Sequence, residues 1–396
     1  MKLIRVGIIG SGFAAQFHYE GLRRVHGVEL EIVGVLARNE ERLNLFAQQH
    51  DLKAYFSIED LMDDSDVLHL CTPPATHESL TIQVLKQNKH VVVEKPFTGY
   101  FGDGSDLFRG NTCNKEIAYH QSISSIKRML EAESISFGTI YYAENWIYAP
   151  SIQKEKELIE KTKAQILWIQ GQQAHSGSHS PDYGKWRLSG GGSLMGKGAH
   201  PIAAALFLKQ VEGRCRIGKP IRPESVTCRT HQITGLPNVD LAGNIRDSYK
   251  DVEDYASVHI KFQDGTIADI VASELLQGGV KNYIEIHANN HRTICNIAPN
   301  DAMQTYNPQE SNYDDIYVVE KIGTKQGWSN ISPDEAWFNG YQQEMQSIYD
   351  SIATGSINQT DSGLAADTIS TIYAGYVSAE RNGQEVFMDQ LREATI

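Results

Sequence analysis

The chain has no excess of basic residues, no paired cysteines, no long apolar run and no low-complexity tract, and each absence removes a class of function. Its 36 Lys and Arg stand against 49 Asp and Glu, a formal net charge of -13. No basic stripe is available to neutralise phosphates or anionic lipid, so nucleic-acid and membrane partners are not expected and a small-molecule partner is. Nowhere do enough apolar residues follow one another to span a bilayer. Residues 1–9 place Arg5 inside a short apolar run without a long h-region or a small-residue cleavage site, so no signal peptide is expected.

The five cysteines, Cys71, Cys113, Cys215, Cys228 and Cys295, are odd in number, far apart and free of any C-x-x-C pair. They read as reduced thiols of a cytoplasmic protein, with neither a disulfide framework nor a thiolate metal site, and no metal is expected. Cys71, at a predicted strand end, reads as a packing residue, because a free Cys behaves as a small hydrophobe.

A length of 396 residues with 41% hydrophobic content exceeds what one core usually holds, which predicts two domains. In the first, apolar strand-like runs at 3–9, 31–36, 67–71, 91–93 and 139–142 alternate with helical patterns at 40–50, 58–63 and 77–87. That rhythm predicts β-α-β units and a parallel sheet covered on both faces. A Gly, Asp and Asn-rich stretch, 99–114, interrupts it as a loop after the fifth strand. Beyond a helix predicted at 152–162 and a strand at 166–170 the texture changes to alternating runs at 226–234, 255–262, 267–274 and 283–288, with an Asp264-Gly265 turn signal. Such runs predict antiparallel strands joined by hairpins. Two amphipathic helices, 333–352 and 365–381, are expected to pack back on the sheet or the domain junction.

Gly10-Ser11-Gly12-Phe13-Ala14-Ala15 fits G-x-G-x-x-A directly after the first strand and at the start of a helical segment. Gly10 permits the tight turn, Gly12 lets backbone approach a pyrophosphate, and Ala15 lets helix and strand pack closely, while the helix N-terminus offers free N–H groups. This context predicts an N-terminal Rossmann domain binding NAD or NADP. The second strand ends Val35-Leu36-Ala37-Arg38-Asn39, without the acid that takes the ribose hydroxyls in NAD-preferring domains. Arg38 either pairs with a 2′-phosphate, covers the adenine, or is a solvated arginine opening a helix; the reading leans to NADP.

At Cys71-Thr72-Pro73-Pro74-Ala75-Thr76-His77 and Glu94-Lys95-Pro96 the chain resembles the Gfo/Idh/MocA oxidoreductases, which carry T-P-x-x-x-H and E-K-P after the fourth and fifth Rossmann strands. The resemblance implies an α/β architecture: a doubly wound parallel sheet over residues 1–148, then an α+β domain over 149–396 with an open, mostly antiparallel sheet for substrate and oligomerisation. It implies a homo-oligomer. It also implies that Phe13, Ala14, Thr72, Pro73, His77, Glu94, Lys95 and Asn145 join the glycines around the nicotinamide cofactor, and that the Lys95-Pro96 bond is cis. Lys95, just past a buried strand, points into the crevice where such sheets bind ligands; burial and the nicotinamide charge are expected to lower its pKa toward acid-base use.

A second segment, Gly190-Gly191-Gly192-Ser193-Leu194-Met195-Gly196-Lys197-Gly198-Ala199-His200-Pro201, is similar to the family's G-G-G-x-L-x-D-x-G-x-H. His200 matches the family histidine and is expected to handle the substrate proton with Lys95. The aspartate position is Gly196, so a carboxylate that binds or deprotonates a substrate hydroxyl is missing, and Lys197 either supplies a replacement charge or points to solvent. Asn145 and Tyr148 stand where relatives have an N-x-R type segment and are carried over as nicotinamide or substrate neighbours.

The polar loop His175-Ser176-Gly177-Ser178-His179-Ser180, followed by Trp186 and Arg187, has the composition of a site for a polyhydroxylated or anionic ligand. The expected activity is hydride transfer between nicotinamide and a hydroxyl carbon of a carbohydrate-like substrate: a sugar, polyol or sugar derivative. An NAD-dependent glycosidase working by transient ring oxidation is the alternative that Gly196 raises. A non-catalytic redox sensor is a third class, against which Lys95 and His200 argue.

Overall fold

In this computed structural model, residues 3–178, 182–298 and 301–393 are described. Strands β1 (Ile4–Ile9), β2 (Leu30–Leu36), β3 (Lys53–Tyr55), β4 (Val67–Leu70), β5 (His90–Glu94) and β6 (Ile140–Ala143) form an all-parallel sheet in the order β3-β2-β1-β4-β5-β6. Strand order reverses beside β1, so the carboxyl ends of β1 and β4 flank the crevice where such sheets take ligands. β4 is buried throughout, as a sheet covered on both faces requires.

Helices α1 (Phe13–Leu22), α2 (Glu40–His50), α3 (Ile58–Asp64), α4 (His77–Lys86) and α5 (Lys115–Ser134) make the crossovers. Local chemistry sets their starts: the Asn39 side chain accepts from Arg42 N at 2.8 Å and Ser57 from Asp60 N at 3.3 Å. The three-residue edge strand β3 was too short for any periodicity to predict, and the 20-residue α5 was not anticipated after the loop.

The second sheet has the order β12-β11-β7-β10-β9-β8-β15, built from β7 (Ile166–Ala174), β8 (Pro223–His231), β9 (Tyr255–Phe262), β10 (Ile267–Ser273), β11 (Lys281–Ala288), β12 (Arg292–Ala298) and a two-residue edge strand, β15 (Val386–Phe387). Between β12 and β15 in the chain come β13 (Gln304–Asn307) and β14 (Gly327–Asn330), which pair as a separate ribbon. The sheet is antiparallel except where β7 runs parallel to β10. The Asp264-Gly265 turn closes the β9–β10 hairpin, with Gly265 at φ +82°.

Short helices α6 (Asn145–Tyr148), α8 (Trp186–Ser189) and α9 (Ser193–Gly196) sit at the junction, while α7 (Pro150–Thr162) and α10 (Ala199–Ile217) cover one face of this sheet. The stretch 333–352, expected as one helix, is broken into α11 (Glu335–Phe338) and α12 (Tyr341–Thr354). Gly340 between them has φ +88°, and a Cβ there falls 2.3 Å from Asn145 O, so the chain turns tightly against α6 before restarting. Helix α12 packs on α1, and α13 (Ser362–Glu380), capped by Asp361 on Leu364 N, packs on α5, α10 and β8. The last helices thus return to both sheets, and one apolar cluster runs from Val91 and Tyr142 through Leu206 to Ile270 and Ile372.

Candidate active site

The cofactor end is made by glycines doing different work. Gly10 ends β1 at φ +119°, and a Cβ there falls 2.2 Å from Cys71 O, so the ends of β1 and β4 touch through backbone. Gly12 caps α1 with no side-chain partner, and a Cβ built on it meets nothing within 4 Å. The first turn of α1 carries no acidic side chain, so its N–H groups open onto that space. Ala15 is fully buried against the sheet and Ala14 partly so, whereas Phe13 is 71% exposed, edge-on to Phe17, which stacks on Tyr341 of α12 at 4.3 Å. An open cradle over free amides is what a dinucleotide pyrophosphate needs, so the residues present fit that group. Arg38 lies exposed just past β2 with no ion-pair partner among the described residues.

At the end of β4, Thr72 and Thr76 share a hydrogen bond of 2.7 Å and Pro73 is exposed. His77 faces the backbone instead of the crevice: its Nδ1 and Nε2 each lie 3.0 Å from a carbonyl, Pro96 O and Thr72 O. It ties the two motif loops together. Cys71 is buried, and burial pushes its thiol well up, in keeping with packing. All five cysteines are free.

Glu94 accepts from Lys95 N at 3.0 Å and contacts His18 Nε2 at 2.9 Å. Burial pushes this carboxyl up, but the His18 hydrogen bond and the charges of His18, Lys95 and His200 outweigh it and hold Glu94 below its usual range. The chain of contacts runs on between the sheet and its covering helices, from His18 Nδ1 to His69 Nδ1 at 2.7 Å and from His69 Nε2 to Tyr349 OH at 2.7 Å.

The reacting end forms where the motif loop after β5 meets the glycine-rich turn. The Lys95–Pro96 peptide is cis. Lys95 Nζ donates to Gly196 O at 3.2 Å and lies 5.9 Å from the centre of the Tyr183 ring. Burial lowers the Lys95 pKa as expected, yet Tyr183, Glu94, Glu144 and Glu320 together hold it above its ordinary value. The net direction is the reverse of the one expected from burial, because the sequence did not reveal how many anionic groups face this ammonium.

His200, in the first turn of α10, places Nδ1 2.5 Å from Glu144 Oε1, and its ring stacks on Trp146 at 5.4 Å. Burial lowers its pKa more than Glu144 raises it, so the imidazole is neutral near pH 7. Lys197 does not point to solvent: it is buried, bonded to Glu274 and, at 3.2 Å, to Ser178 Oγ, and burial lowers its pKa. His175 lies 3.9 Å from the same Glu274 and accepts from Gly177 N at 3.1 Å, so the polar loop closes on this side of the site. Lys321, reaching in from the segment before β14, donates to Gly177 O at 2.7 Å.

Beneath the glycine-rich turn, the Glu253 carboxylate accepts from Leu194 N at 2.9 Å, Gly192 N at 3.2 Å and Tyr376 OH at 2.8 Å. Burial pushes Glu253 up to about 7 in spite of these bonds. A Cβ at Gly192 falls 2.0 Å from Glu253 O, so glycine there is a matter of space.

The remaining expected site residues make contacts of their own within the protein. Tyr148 is buried with its hydroxyl bonded to Asn358 Oδ1 at 2.6 Å and near Thr360 Oγ1 at 2.9 Å, and its neighbour Asn145 donates to Asn339 O at 2.7 Å. Trp186 is buried, donates to Tyr100 O at 2.8 Å and packs on Tyr376, so it offers no open ring to a sugar. Arg187 pairs with Asp106 of the loop after β5. His179 lies outside the described residues.

Glu144, Tyr183, Glu274 and Glu320 were missed. Glu144 adjoins the Asn145 segment and Tyr183 falls between the polar loop 175–180 and Trp186, but Glu274 and Glu320 carried no sequence signal. Buried Glu344 adds a carboxyl with no hydrogen-bond partner on either oxygen among the described residues, and burial together with Glu94 and Glu144 pushes its pKa well up. Among the described residues, no group of three or more His, Cys, Asp or Glu is placed to hold a metal, and no helix is long and apolar enough to cross a membrane.

Comparison with known proteins agrees with this fold. Residues 4–116 match the oxidoreductase family with an NAD-binding Rossmann fold, and residues 152–292 match the GFO/IDH/MocA C-terminal domain. Over 92 residues the chain is 33% identical to glucose-6-phosphate 3-dehydrogenase of Bacillus subtilis (strain 168), covering 23% of this chain and 26% of that one. Over 95 residues it is 28% identical to UDP-N-acetylglucosamine 3-dehydrogenase of Acidithiobacillus ferrooxidans, covering 24% and 29%. The matched stretches thus span about a quarter of these relatives. Among solved structures, GenD2 from gentamicin A biosynthesis, in complex with NAD, aligns with a TM-score of 0.78 at 21% identity over 98% of this chain and 97% of that one. The WlbA dehydrogenase from Bordetella pertussis, in complex with NADH and UDP-GlcNAcA, aligns with a TM-score of 0.67 at 18% identity over 98% of both. Two matched domains, built on a parallel sheet with a glycine cradle and an open mostly antiparallel sheet, make this chain a member of the GFO/IDH/MocA family of oxidoreductases.

Proposed function

We propose that this protein is an NAD(P)-dependent dehydrogenase acting on a hydroxyl carbon of a sugar, polyol or sugar derivative. The observation that carries the reading is the meeting of Lys95 with the Gly196–His200 segment: an ammonium on the Gly196 carbonyl and a neutral imidazole held by Glu144 at one crevice. The bound nicotinamide would supply the hydride acceptor or donor at its C4. Gly12 and the first turn of α1 would hold the pyrophosphate, with Gly10 fixing the turn. Lys95 faces the substrate oxygen and, in reduction, is the source of the proton that the hydroxyl gains; in oxidation the amine receives one. With Nδ1 donating to Glu144, His200 presents the Nε2 lone pair, which accepts from a substrate hydroxyl and exchanges protons with Lys95. Lys197, Glu274, His175 and Ser178 form a polar wall suited to further hydroxyls. The names of relatives acting on glucose 6-phosphate and UDP-N-acetylglucosamine support the carbohydrate class.

Arg38, exposed and unpaired among the described residues, favours NADP, because only NADP offers a 2′-phosphate to a guanidinium. Arg38→Ala is expected to weaken NADP by about tenfold and NAD far less, a charge-assisted hydrogen bond being worth about 1.5–3 kcal/mol. Calorimetric titration with both cofactors checks this; equal losses make Arg38 a cover for the adenine. The outward face of the second sheet, with Trp168 stacked on His287 and bonded to Asp269, is where we place a second copy in a homo-oligomer. The free thiols suit a cytoplasmic protein.

The absence of a carboxylate at Gly196 gives one specific reason to test redox-neutral glycoside cleavage as well. A dehydrogenase accumulates reduced cofactor in step with product and never exchanges the hydrogen beside the reacting carbon. A glycosidase of this fold acidifies that C–H by transient oxidation, so solvent deuterium enters the sugar while nicotinamide absorbance stays level. For reaction in deuterium oxide we expect stoichiometric reduced cofactor and no deuterium wash-in. Glycoside cleavage with deuterium in the sugar overturns the dehydrogenase reading.

A further inference from the structure

Tyr183 occupies the room that a side chain at position 196 would need. A Cβ built on Gly196 lies 3.1 Å from both Cδ1 and Cε1 of the Tyr183 ring, tighter than ordinary van der Waals contact. The same ring lies 5.9 Å from Lys95 Nζ, and that ammonium is tethered to the carbonyl of Gly196 itself. The chain just after Tyr183 is anchored: Lys250 N donates to Gly184 O at 3.0 Å, Trp186 N donates to Asp251 Oδ1 at 3.0 Å, and a Cβ on Gly184 falls 2.3 Å from Ser248 O. The backbone is fixed while the partly buried phenol makes no hydrogen bond with another described residue. A phenol whose ring lies 5.9 Å from the Lys95 ammonium, and which bonds no other described residue, is disposed toward a ligand.

We propose that the Tyr183 phenol stands in for the aspartate that the family pattern places at position 196, bonding the reacting oxygen and relaying its proton to and from Lys95. This rests on the dehydrogenase reading above. In reduction, hydride adds to the carbonyl carbon, the C=O π pair moves to oxygen, and the phenol O–H proton passes to that oxygen. The phenol oxygen takes a proton from Lys95 Nζ in the same relay, and the Lys95 amine is reprotonated from solvent. Oxidation runs the same transfers backwards. Loss of the aspartate is then a substitution of one proton-carrying group for another.

The test uses Tyr183→Phe, Tyr183→Ala, Gly196→Asp and the Tyr183→Ala/Gly196→Asp double variant. Tyr183→Phe is expected to lower kcat by about a hundredfold or more, the range for a lost acid-base group, with KM changed little and cofactor affinity by calorimetry unchanged. The double variant is expected to recover at least about tenfold of the kcat lost in Tyr183→Ala, because an aspartate regains the vacated place beside Lys95. Gly196→Asp is expected to lower the melting temperature more beside Tyr183 than in the Tyr183→Ala background. A Tyr183→Phe kcat within about twofold of the native value overturns the relay. Equal melting losses in the two backgrounds overturn the placement of the ring. If the native protein turns over no sugar or polyol, the dehydrogenase reading falls, and the melting comparison, which needs no substrate, decides whether Tyr183 holds the place of residue 196.

Discussion

Lys95→Met is expected to lower turnover by about two to four orders of magnitude while leaving cofactor affinity nearly unchanged. Among the described residues the side chain makes one hydrogen bond, to Gly196 O, and it stands where the loop after β5 meets the segment leading to His200. Methionine keeps the length and the apolar stem of lysine, so the loss falls on the proton and the charge. The ammonium is also the positive group that Tyr183, Glu94, Glu144 and Glu320 face, and its removal leaves those groups without that counter-charge. Because these neighbours hold the Lys95 pKa above its ordinary value, the protonated form prevails at neutral pH. The reductive direction, which needs a donor, is therefore expected to persist through neutral pH and fall off only on the alkaline side as Nζ loses its proton. Steady-state kinetics of the variant, with cofactor titration alongside, checks the claim; a turnover equal to the native value removes Lys95 from the reaction.

Gly12→Val is expected to abolish measurable dinucleotide binding while the protein still folds. The φ of −95° at Gly12 is open to any residue, and a Cβ there strikes no protein atom. What a branched side chain fills is the cradle over the first turn of α1, displacing a pyrophosphate from N–H groups whose hydrogen bonds to a charged ligand are worth about 1.5–3 kcal/mol each. Losing two such bonds weakens binding by roughly a hundredfold or more. Gly10→Val is the control with the opposite signature: at φ +119°, with Cys71 O 2.2 Å from its Cβ, it forces β1 and β4 apart and destabilises the fold itself. Calorimetry with NAD and NADP, paired with thermal melting of both variants, separates the two effects. Gly12→Val with undiminished cofactor affinity overturns the placement of the dinucleotide.

The sequence alone determined the parallel half of the fold, because its signals are local. Strand periodicity at β1, β2, β4, β5 and β6, the turn chemistry of Gly10 and Gly12 and the two motif loops are written within a few consecutive residues, whereas the three-residue edge strand β3 is too short to carry such a signal. The same locality exposed Lys95 and His200. The tertiary structure decided everything that depends on partners distant in the chain. It set His77 between two backbone carbonyls, buried Trp186 and Tyr148 in contacts of their own, and turned Lys197 inward onto Glu274, 77 residues away. It reversed the expected pKa direction of Lys95, since electrostatics sums over every group within a few ångströms, while a sequence shows only neighbours in order. It also showed that the space vacated at Gly196 is filled by Tyr183, 13 residues earlier in the chain, because packing volume is shared between segments and no segment states by itself who occupies it.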